Sequence, residues 1–364
     1  MLSKINYKKV VEDSSEIDFY KEIHRKILEY LSNKSHVTFW DIVKNVGGSD
    51  RRVLRLLNQM QLAEEIKLEN GNISAFRKIN RNIIINFTKI RKVMSKIYKK
   101  KPNPTFLYDQ RPVTIDTTVN RVEYMFFRGD LIGKHIVMIG DDDLTSLALG
   151  FTRQVKEVVV LDIDKRLIEY INEIAKKEKL NVKAYTYDFT LGVPKKLLGK
   201  FDIFLTDPTP KPESLSLFSS VGLSLLKKGK GFVGYVSFFP SHQEISIDFQ
   251  KIFTDKRIII TDMIPKFTQY DFIGETYNSE DVELLNKFDS RESRVSFTEN
   301  LTRIETTEDT IKEVDVINKK IKNKMLGKAT KRVLNHVEKD PAYIRGESNF
   351  VLSIVKEMRR KQDE

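Results

Sequence analysis

The first eighty residues carry apolar positions at helical spacing, followed by one short hairpin pattern. Apolar residues recur with the helical period over 19–31, over a short segment after Thr38, and over 49–60. Two short apolar runs then flank Asn70-Gly71, a dipeptide that favours a tight hairpin turn. Three helices followed by a hairpin is the element order of a winged helix, which we predict for this segment.

From residue 130 the pattern changes to short, continuous apolar runs that alternate with amphipathic helical segments. Continuous runs of this kind are typical of buried parallel strands. Repeated strand–helix units predict an α/β fold with a Rossmann-like doubly wound sheet, whose site lies at the carboxyl ends of the strands. The predicted strands are 134–140, 158–164, 182–187, 201–208, 231–237 and 257–264, and the predicted helices are 144–152, 165–177 and 215–226.

These patterns divide the chain into five segments. Residues 1–18 are polar and are predicted to be a flexible N-terminus, and 19–80 form the winged-helix-like domain. A lysine-rich run beside two prolines predicts a basic linker over 81–104. The Rossmann-like domain covers 105–290, and 291–364 are predicted to be a charged, mainly helical C-terminal extension.

Composition excludes several classes of protein. The chain of 364 residues is 40% hydrophobic and has no cysteine, which excludes disulfides, thiolate zinc sites and cysteine nucleophiles. No apolar stretch is long enough to span a membrane, and the first residues have no apolar core of a secretory signal. We therefore expect a cytoplasmic protein without membrane contact.

The net charge of +12 is concentrated at the N-terminus, where the first 100 residues carry +10. Arg51, Arg52 and Arg55 lie on the third predicted helix, the one with which winged helices contact DNA. One hypothesis is nucleic-acid binding through these arginines. The other, which we favour, is an exposed basic helix that packs on a neighbouring domain or mediates a homodimer, because a fold does not determine its function.

Aspartates follow four consecutive predicted strands of the α/β region. They are Asp141, Asp142 and Asp143 after the first strand, Asp162 and Asp164 at the second, Asp188 after the third and Asp207 at the fourth. Since the carboxyl ends of parallel strands meet at one edge of the sheet, these side chains are expected to share a site. Asp162 suits the ribose hydroxyls of a nucleoside. For Asp143 and Asp164, capping of a helix is the competing explanation.

The turn after the first strand predicts the charge of the ligand. Dinucleotide sites have several glycines here, whereas this chain has only Gly140, followed by three carboxylates. Such a turn repels a pyrophosphate or a carboxylate and attracts an ammonium group. The ligand is therefore expected to be a nucleoside with a cationic arm, a polyamine, or both. The histidines form no close pair, so no metal is predicted.

Several segments resemble one known family. The run 140–146 resembles the Gly-Asp-Asp-Asp signature of the archaeal and thermophile branched-chain polyamine synthases, also called N(4)-bis(aminopropyl)spermidine synthases. Residues 108–118, 161–164 and 206–208 match the family as well, and the resemblance covers about 105–275, more loosely 19–90. The run 207–212 departs from the family's usual Asp-Pro-Pro pattern, and Asn120-Arg121 stands where the family often has paired arginines.

The resemblance implies an S-adenosylmethionine-dependent transferase fold and an aminopropyltransferase. Its donor substrate is decarboxylated S-adenosylmethionine, its acceptor is the central nitrogen of spermidine, and methylthioadenosine leaves. The resemblance assigns the base and amine orienter to the turn, to Asp142 first and then to Asp141 and Asp143. It places the donor among Gly140, Asp162 (at the ribose), Asp164, Asp188 (at the adenine), Tyr108 and Asp109. It places the acceptor among Asp207, Pro208 and Tyr235.

Two alternatives remain open from the sequence. One is an S-adenosylmethionine-dependent methyltransferase of the same fold, whose donor keeps a carboxylate that three adjacent aspartates disfavour. The other is a DNA-binding regulator in which the winged helix contacts DNA and the α/β domain senses a nucleoside or polyamine. Salt-dependent binding to duplex DNA would distinguish the regulator from either enzyme.

Overall fold

The computed structural model contains two compact units, Met1–Ile85 and Asn86–Glu364. The structure describes residues 5–13, 16–32, 34, 36–75, 85–105, 108, 110–189, 192–209, 211–240, 243–271, 283–284, 287 and 295–312. Each unit has its own hydrophobic core. Within these described ranges, no helix is long and apolar enough to cross a membrane.

The N-terminal unit contains three helices and a hairpin, in the predicted order. The elements are α1 (Ile17–Ser32), α2 (Phe39–Val46), α3 (Asp50–Leu62), β1 (Ile66–Glu69) and β2 (Asn72–Ala75). Thr38 begins α2 with a reciprocal capping box to Asp41. Asn70 and Gly71 have φ of 51° and 77°, as the tight turn of a hairpin requires. This order is compatible with the predicted winged helix.

The first residues of the chain do not match the predicted flexible N-terminus. Ile5, Val10 and Val11 are buried in the same hydrophobic cluster as Tyr20 and Ile23 of α1. Three isolated apolar residues among polar ones show no helical or strand period, so no pattern in the sequence indicated that 5–13 would pack. Residues 1–4 and 14–15 lie outside the described residues.

The C-terminal unit alternates strands and helices, as predicted. Its helices are α4 (Phe87–Tyr98), α5 (Ile115–Phe127), α6 (Thr145–Phe151), α7 (Lys165–Lys177), α8 (Pro212–Leu225) and α9 (Gln243–Asp255). Its strands are β3 (His135–Ile139), β4 (Glu157–Asp162), β5 (Val182–Thr186), β6 (Ile203–Thr206), β7 (Val233–Phe238), β8 (Ile258–Asp271) and β9 (Val295–Thr306).

The seven strands form one sheet in the order β5-β4-β3-β6-β7-β9-β8. The first five strands along the chain, β3 to β7, are mutually parallel, while β9 is antiparallel to both β7 and β8. The doubly wound α/β prediction is thus confirmed. The strand order reverses between β3 and β6, and this switch point is where an open α/β sheet leaves a crevice for a ligand.

Two predicted segment boundaries are wrong. The predicted basic linker, 81–104, contains α4, whose Ile90, Met94 and Ile97 are buried while its lysines face outward. The predicted helical extension, 291–364, begins with β9, so the sheet continues past residue 290. In both segments, high charge concealed the few apolar residues that pack. Residues 313–364 lie outside the described residues.

Phe204 of β6 packs closely against helix α8 and strand β7. A Cβ atom at Gly222 of α8 or at Gly234 of β7 would lie 2.4 Å from the Phe204 ring. The ring is fully buried between these two backbones. The close approach holds the carboxyl end of β6, and with it Asp207, in a fixed position.

Candidate active site

A tight turn places three carboxylates at the switch point of the sheet. Gly140 ends β3 with φ of 78° and donates its N–H to the carbonyl of Leu161 at 2.9 Å. Leu144 also has a left-handed backbone, with φ of 56°, and donates to the carbonyl of Asp141 at 2.9 Å. Helix α6 begins at the next residue. The backbone between Gly140 and Leu144 is therefore closely constrained.

Two of the three aspartates of this turn are held by the protein itself. Asp141 accepts the backbone N–H of Ser146 at 3.2 Å and so caps the start of α6. Asp143 accepts from Arg121 at 2.6 Å and from the backbone N–H of Val113 at 3.0 Å. Both carboxylates are buried. Burial raises the pKa of Asp141, and its hydrogen bonds from Ser146 act in the opposite direction.

Asp142 is the aspartate of the turn whose carboxylate is left available. Among the described residues it receives no hydrogen bond, and its side chain is half-buried. Burial and the neighbouring charge of Asp143 raise the pKa of Asp142, while Lys101 lowers it. A carboxylate with a raised pKa and no fixed partner can accept a proton from a ligand, which is the property expected of a general base.

Asp162 joins the ends of β3 and β4. Its two carboxylate oxygens accept the backbone N–H groups of Asp141 at 3.0 Å and Asp164 at 2.8 Å. Its Oδ2 lies 3.8 Å from the place where a Cβ of residue 140 would stand, so Gly140 leaves room beside this buried carboxylate. Burial raises the pKa of Asp162, and the backbone hydrogen bonds oppose that rise. Backbone N–H groups thus occupy part of the acceptor capacity of this carboxylate, and the rest is available to a hydroxyl donor.

Asp164 caps the start of α7, which is the competing explanation that the sequence offered for this residue. It accepts from the backbone N–H of Arg166 at 3.0 Å, from the Arg166 guanidinium at 2.8 Å and from Gln110 at 3.1 Å. Burial raises the pKa of Asp164, but these bonds outweigh it and the pKa lies below its usual value. Tyr108 lies beside this carboxylate, and both the burial of its ring and the charge of Asp164 raise its pKa. Asp109 lies outside the described residues.

The end of β5 reaches the same edge of the sheet. The backbone N–H of Tyr187 donates to the carbonyl of Asp162 at 2.8 Å, and Asp188 follows as a half-buried residue. The structure thus brings the ends of β3, β4 and β5 together, with Asp142, Asp162 and Asp188 at neighbouring strand ends. This is the grouping expected from the sequence.

Asp207, at the end of β6, belongs to a buried polar network. Its oxygens accept from Arg121 at 2.5 Å and from the Tyr270 hydroxyl at 2.7 Å, and the same hydroxyl lies 3.0 Å from Glu299. Arg121 therefore bridges Asp207 and Asp143 across the switch point. Burial raises the pKa of Asp207, and Arg121 opposes this. Burial and the neighbouring Asp207 raise the pKa of Glu299 to about 9.

Several charged residues of this site are not among the residues predicted from the sequence. Arg121 stands in the predicted family pattern only as a departure, and Lys101 lies in the predicted linker. Asp271, at the end of β8, lies near Lys101 and Asp143, and burial raises its pKa while Lys101 lowers it. Glu299 was assigned to the charged extension. These residues lack local periodicity, so only the fold could show that they meet.

Two residues predicted for the acceptor lie in different surroundings. Tyr235 is fully buried in the middle of β7, and its hydroxyl donates to Asp130, which also pairs with Arg303 at 2.7 Å. It does not join the carboxylates at the strand ends, because a mid-strand side chain cannot reach them. Pro208, by contrast, follows Asp207 and lines a small depression together with Phe249.

The arginines considered for DNA binding are partly engaged within their own unit. Arg52 pairs with Glu16, and Arg55 lies 3.4 Å from Glu12. Arg51 is exposed. Two of the three arginines therefore have acidic partners from the segment before α1. Among the described residues, no three His, Asp or Glu side chains are arranged as a metal site.

The strand order, with an antiparallel β9 between β7 and β8 and carboxylates at the switch point, defines the Rossmann-like transferase fold of the S-adenosylmethionine-dependent type. Residues 89–331 match the family model described as the branched-chain polyamine synthase A C-terminal domain. This match covers more than half of the chain, and the chain belongs to that family.

Named relatives agree with the family model. The N(4)-bis(aminopropyl)spermidine synthase of Thermococcus kodakarensis is 37% identical over 190 residues, which are 50% of this chain and 53% of the relative. The enzyme of the same name from Thermus thermophilus is 36% identical over 180 residues, 48% of this chain and 52% of the relative. The chain thus spans about half the length of the curated relatives it matches.

A solved structure shows the same fold. The branched-chain polyamine synthase from Thermus thermophilus, in complex with N4-aminopropylspermidine and 5′-methylthioadenosine, superposes with a TM-score of 0.58. The superposition covers 86% of this chain and 97% of that chain at 23% sequence identity. The likeness extends to the N-terminal part of the sequence as well as the sheet.

Proposed function

We propose that this protein is an aminopropyltransferase that transfers aminopropyl groups from decarboxylated S-adenosylmethionine to the central nitrogen of spermidine. The lone pair of the acceptor nitrogen forms a new C–N bond at the carbon beside the sulfonium. The C–S bond breaks, its electron pair neutralises the sulfur, and methylthioadenosine leaves. The attacking nitrogen must be unprotonated, so the reaction needs a base but no redox partner.

The observation that carries this proposal is that the carboxylate of Asp142 is available to a ligand. Asp142 lies at the switch point, in the run 140–146 that resembles the family's Gly-Asp-Asp-Asp signature, and its carboxylate has no hydrogen bond among the described residues. Asp141 and Asp143 next to it are occupied by Ser146 and Arg121. Asp142 is therefore the member of the turn that can take the proton of the acceptor amine and orient the resulting nucleophile.

The donor fits the neighbouring strand ends. Asp162 keeps free lone pairs beside Gly140 and would accept the two ribose hydroxyls. Asp188 would contact the adenine edge, and Tyr108 with Asp109 would close over the nucleoside. Asp164 acts on the donor indirectly, because its oxygens hold Gln110 and Arg166 in place beside Tyr108.

The acceptor is a polycation, and the free carboxylates suit it. The carboxylate of Asp142 has no hydrogen bond among the described residues, so it can bind an ammonium group of the acceptor. Asp207 is already bound to Arg121 and Tyr270, and its role is to shape the acceptor side together with Pro208. The sulfonium is an intrinsically good leaving group, so positioning supplies most of the remaining rate enhancement.

The test is a product analysis with pure protein, decarboxylated S-adenosylmethionine and spermidine, read by mass spectrometry. We expect methylthioadenosine together with spermidine carrying one and then two aminopropyl groups. Asp142→Asn keeps the shape of the side chain and removes the base, so kcat/KM should fall by about 10²- to 10⁴-fold. Asp255→Asn, at an exposed aspartate near the end of α9, is the matched control and should be unchanged.

The other possible results of this product analysis each indicate a different function or a different base. A linear adduct keeps the chemistry and changes the acceptor nitrogen. Methylated product from S-adenosylmethionine itself identifies a methyltransferase of the same fold. No product from either donor, combined with salt-dependent duplex DNA binding, would replace the transferase by a regulator. Full activity of Asp142→Asn contradicts the assignment of the base.

A further inference from the structure

Lys101 extends into the site from the segment that follows α4. Its ammonium donates to the backbone carbonyl of Asp142 at 2.8 Å. The same ammonium lies 4.2 Å from the centre of the Tyr98 ring, a cation–π distance. The Tyr98 hydroxyl in turn donates to the carbonyls of Val113 and Asp143, each at 3.1 Å. The ammonium is thus held by an aromatic face and a carbonyl oxygen.

Two of the carboxylates near Lys101 have no hydrogen-bond partner among the described residues. Lys101 interacts electrostatically with Asp142, Asp143 and Asp271. Asp143 is also paired with Arg121, whereas Asp142 and Asp271 have no hydrogen bond to their carboxylates among the described residues. Asp271 is fixed in position because its backbone N–H donates to the carbonyl of Pro112 at 3.1 Å. Burial lowers the pKa of Lys101, and the carboxylates act against that change.

These contacts are the ones that an ammonium group of a polyamine needs. A bound ammonium is stabilised by carboxylates, by carbonyl acceptors and by the face of an aromatic ring. Lys101 contacts a carbonyl acceptor and an aromatic face, and carboxylates lie near enough to interact with it electrostatically. A side-chain cation therefore takes up an environment suited to a substrate cation.

We propose that Lys101 determines acceptor specificity: its ammonium, held by the Asp142 carbonyl and the Tyr98 ring, fills one amine subsite, so that the site binds a linear polyamine chain with one ammonium fewer. This inference rests on the proposed function. With Lys101 present, the site accepts the linear triamine chain of spermidine, with or without an aminopropyl branch on its central nitrogen. Without Lys101, the vacated subsite binds one further ammonium along the chain and favours a linear tetraamine.

The experiment measures binding without the donor, so it does not depend on turnover. Lys101→Met keeps most of the apolar stem and removes the charge. Spermidine and spermine are titrated calorimetrically into the full chain, and the ratio of the spermidine Kd to the spermine Kd is compared. We expect this ratio to rise about tenfold in Lys101→Met, the effect of one added charge-assisted hydrogen bond. Lys101→Arg should keep the ratio of the unaltered protein.

Neighbouring lysines provide the matched controls. Lys99 and Lys100 are exposed and precede Lys101 in the same segment. Lys99→Met and Lys100→Met change the net charge equally but leave the subsite filled, so their Kd ratios should stay unchanged. An equal rise in all three variants would show a general charge effect and overturn the proposal.

The outcomes separate this inference from the proposed function. If the unaltered protein binds neither polyamine, the acceptor assignment fails. If it binds spermidine but folded Lys101→Met shows an unchanged ratio, or loses both polyamines, the role of Lys101 is overturned. If Lys101→Met does not fold, the spermidine affinity of Asp271→Asn tests the role of Lys101 instead. Since Asp271 serves Lys101 rather than the acceptor, spermidine affinity should change less than about threefold, and a tenfold loss contradicts the proposal.

Discussion

Asp141, Asp142 and Asp143 have the same side chain, yet each has different partners. The carboxylate of Asp141 caps α6, that of Asp143 pairs with Arg121, and that of Asp142 remains available. Removing Asp141 or Asp143 would therefore disturb the fold of the turn, whereas removing Asp142 would affect mainly the chemistry. Substitutions in this turn must be interpreted with a stability measurement beside the activity.

Glu299 leads to a prediction about stability and pH. Its pKa is raised to about 9 in the folded protein, so between its ordinary pKa and that value the folded state binds one proton more than the unfolded state. The free energy of unfolding should therefore fall as pH rises, by at most about 1.4 kcal/mol per pH unit from this group. In Glu299→Gln this contribution is absent, because the amide does not titrate.

The measurement is urea unfolding of both proteins at several pH values from 5 to 9. We expect Glu299→Gln to be similar to the unaltered protein at pH 5 and increasingly more stable towards pH 9. Glu308→Gln is the control, since Glu308 is 67% exposed. Parallel stability curves for Glu299→Gln and the unaltered protein would show that Glu299 is ionised in the fold.

At the scale of the element, α4 falls in the predicted basic linker and β9 in the predicted charged, mainly helical extension. Helix α4 buries Ile90, Met94 and Ile97 at helical spacing within a lysine-rich run. Strand β9 carries Glu299 and Arg303, which are buried because Tyr270 and Asp130 bind them. A buried charge with a partner resembles an exposed charge in any hydropathy pattern, and the partner lies far away in the chain.

The packing of α8 on β6 makes a second prediction. In Gly222→Ala the new methyl group would lie 2.4 Å from the Phe204 ring. Alanine favours a helix over glycine by about 1 kcal/mol, but overpacking should outweigh that gain and lower the free energy of unfolding by about 1–3 kcal/mol. Denaturant unfolding measures the change.

Two further variants test the mechanism of that loss. Glu213→Ala, at an exposed position in the first turn of α8, should change the free energy of unfolding by less than about 1 kcal/mol. Gly222→Ala combined with Phe204→Leu should lose less than the sum of the single variants, because the smaller side chain admits the methyl group. Additive losses would mean that the contact between these two residues is not the cause.

At the scale of the whole molecule, two separate cores predict two independently folding units. The C-terminal unit, Asn86–Glu364, contains the sheet and the described residues of the proposed site. We expect a fragment of residues 86–364 to unfold cooperatively and to bind methylthioadenosine within about threefold of the full chain. Circular dichroism and calorimetry measure the two properties. A fragment that fails to fold would show that the N-terminal unit contributes to the stability of the sheet.

Local sequence determined the sheet, its switch point and the grouping of aspartates there. Continuous apolar runs specify buried strands, and the residue after a parallel strand always lies at the same edge, so neighbours along the chain carry that information. The resemblance of 140–146 to the signature of the branched-chain polyamine synthases indicated the class of chemistry. The hairpin at Asn70-Gly71 and the start of α2 at Thr38 follow from equally local rules.

Only the tertiary structure decided which partner each carboxylate has. Arg121 and Asp207 are 86 residues apart, and Lys101 and Asp142 are 41 apart, but each pair meets within hydrogen-bonding distance. Hydrogen bonds and ion pairs act over a few ångströms of space, irrespective of separation along the chain. The available carboxylate of Asp142, the ammonium of Lys101 beside it and the bridge made by Arg121 are therefore properties of the folded chain.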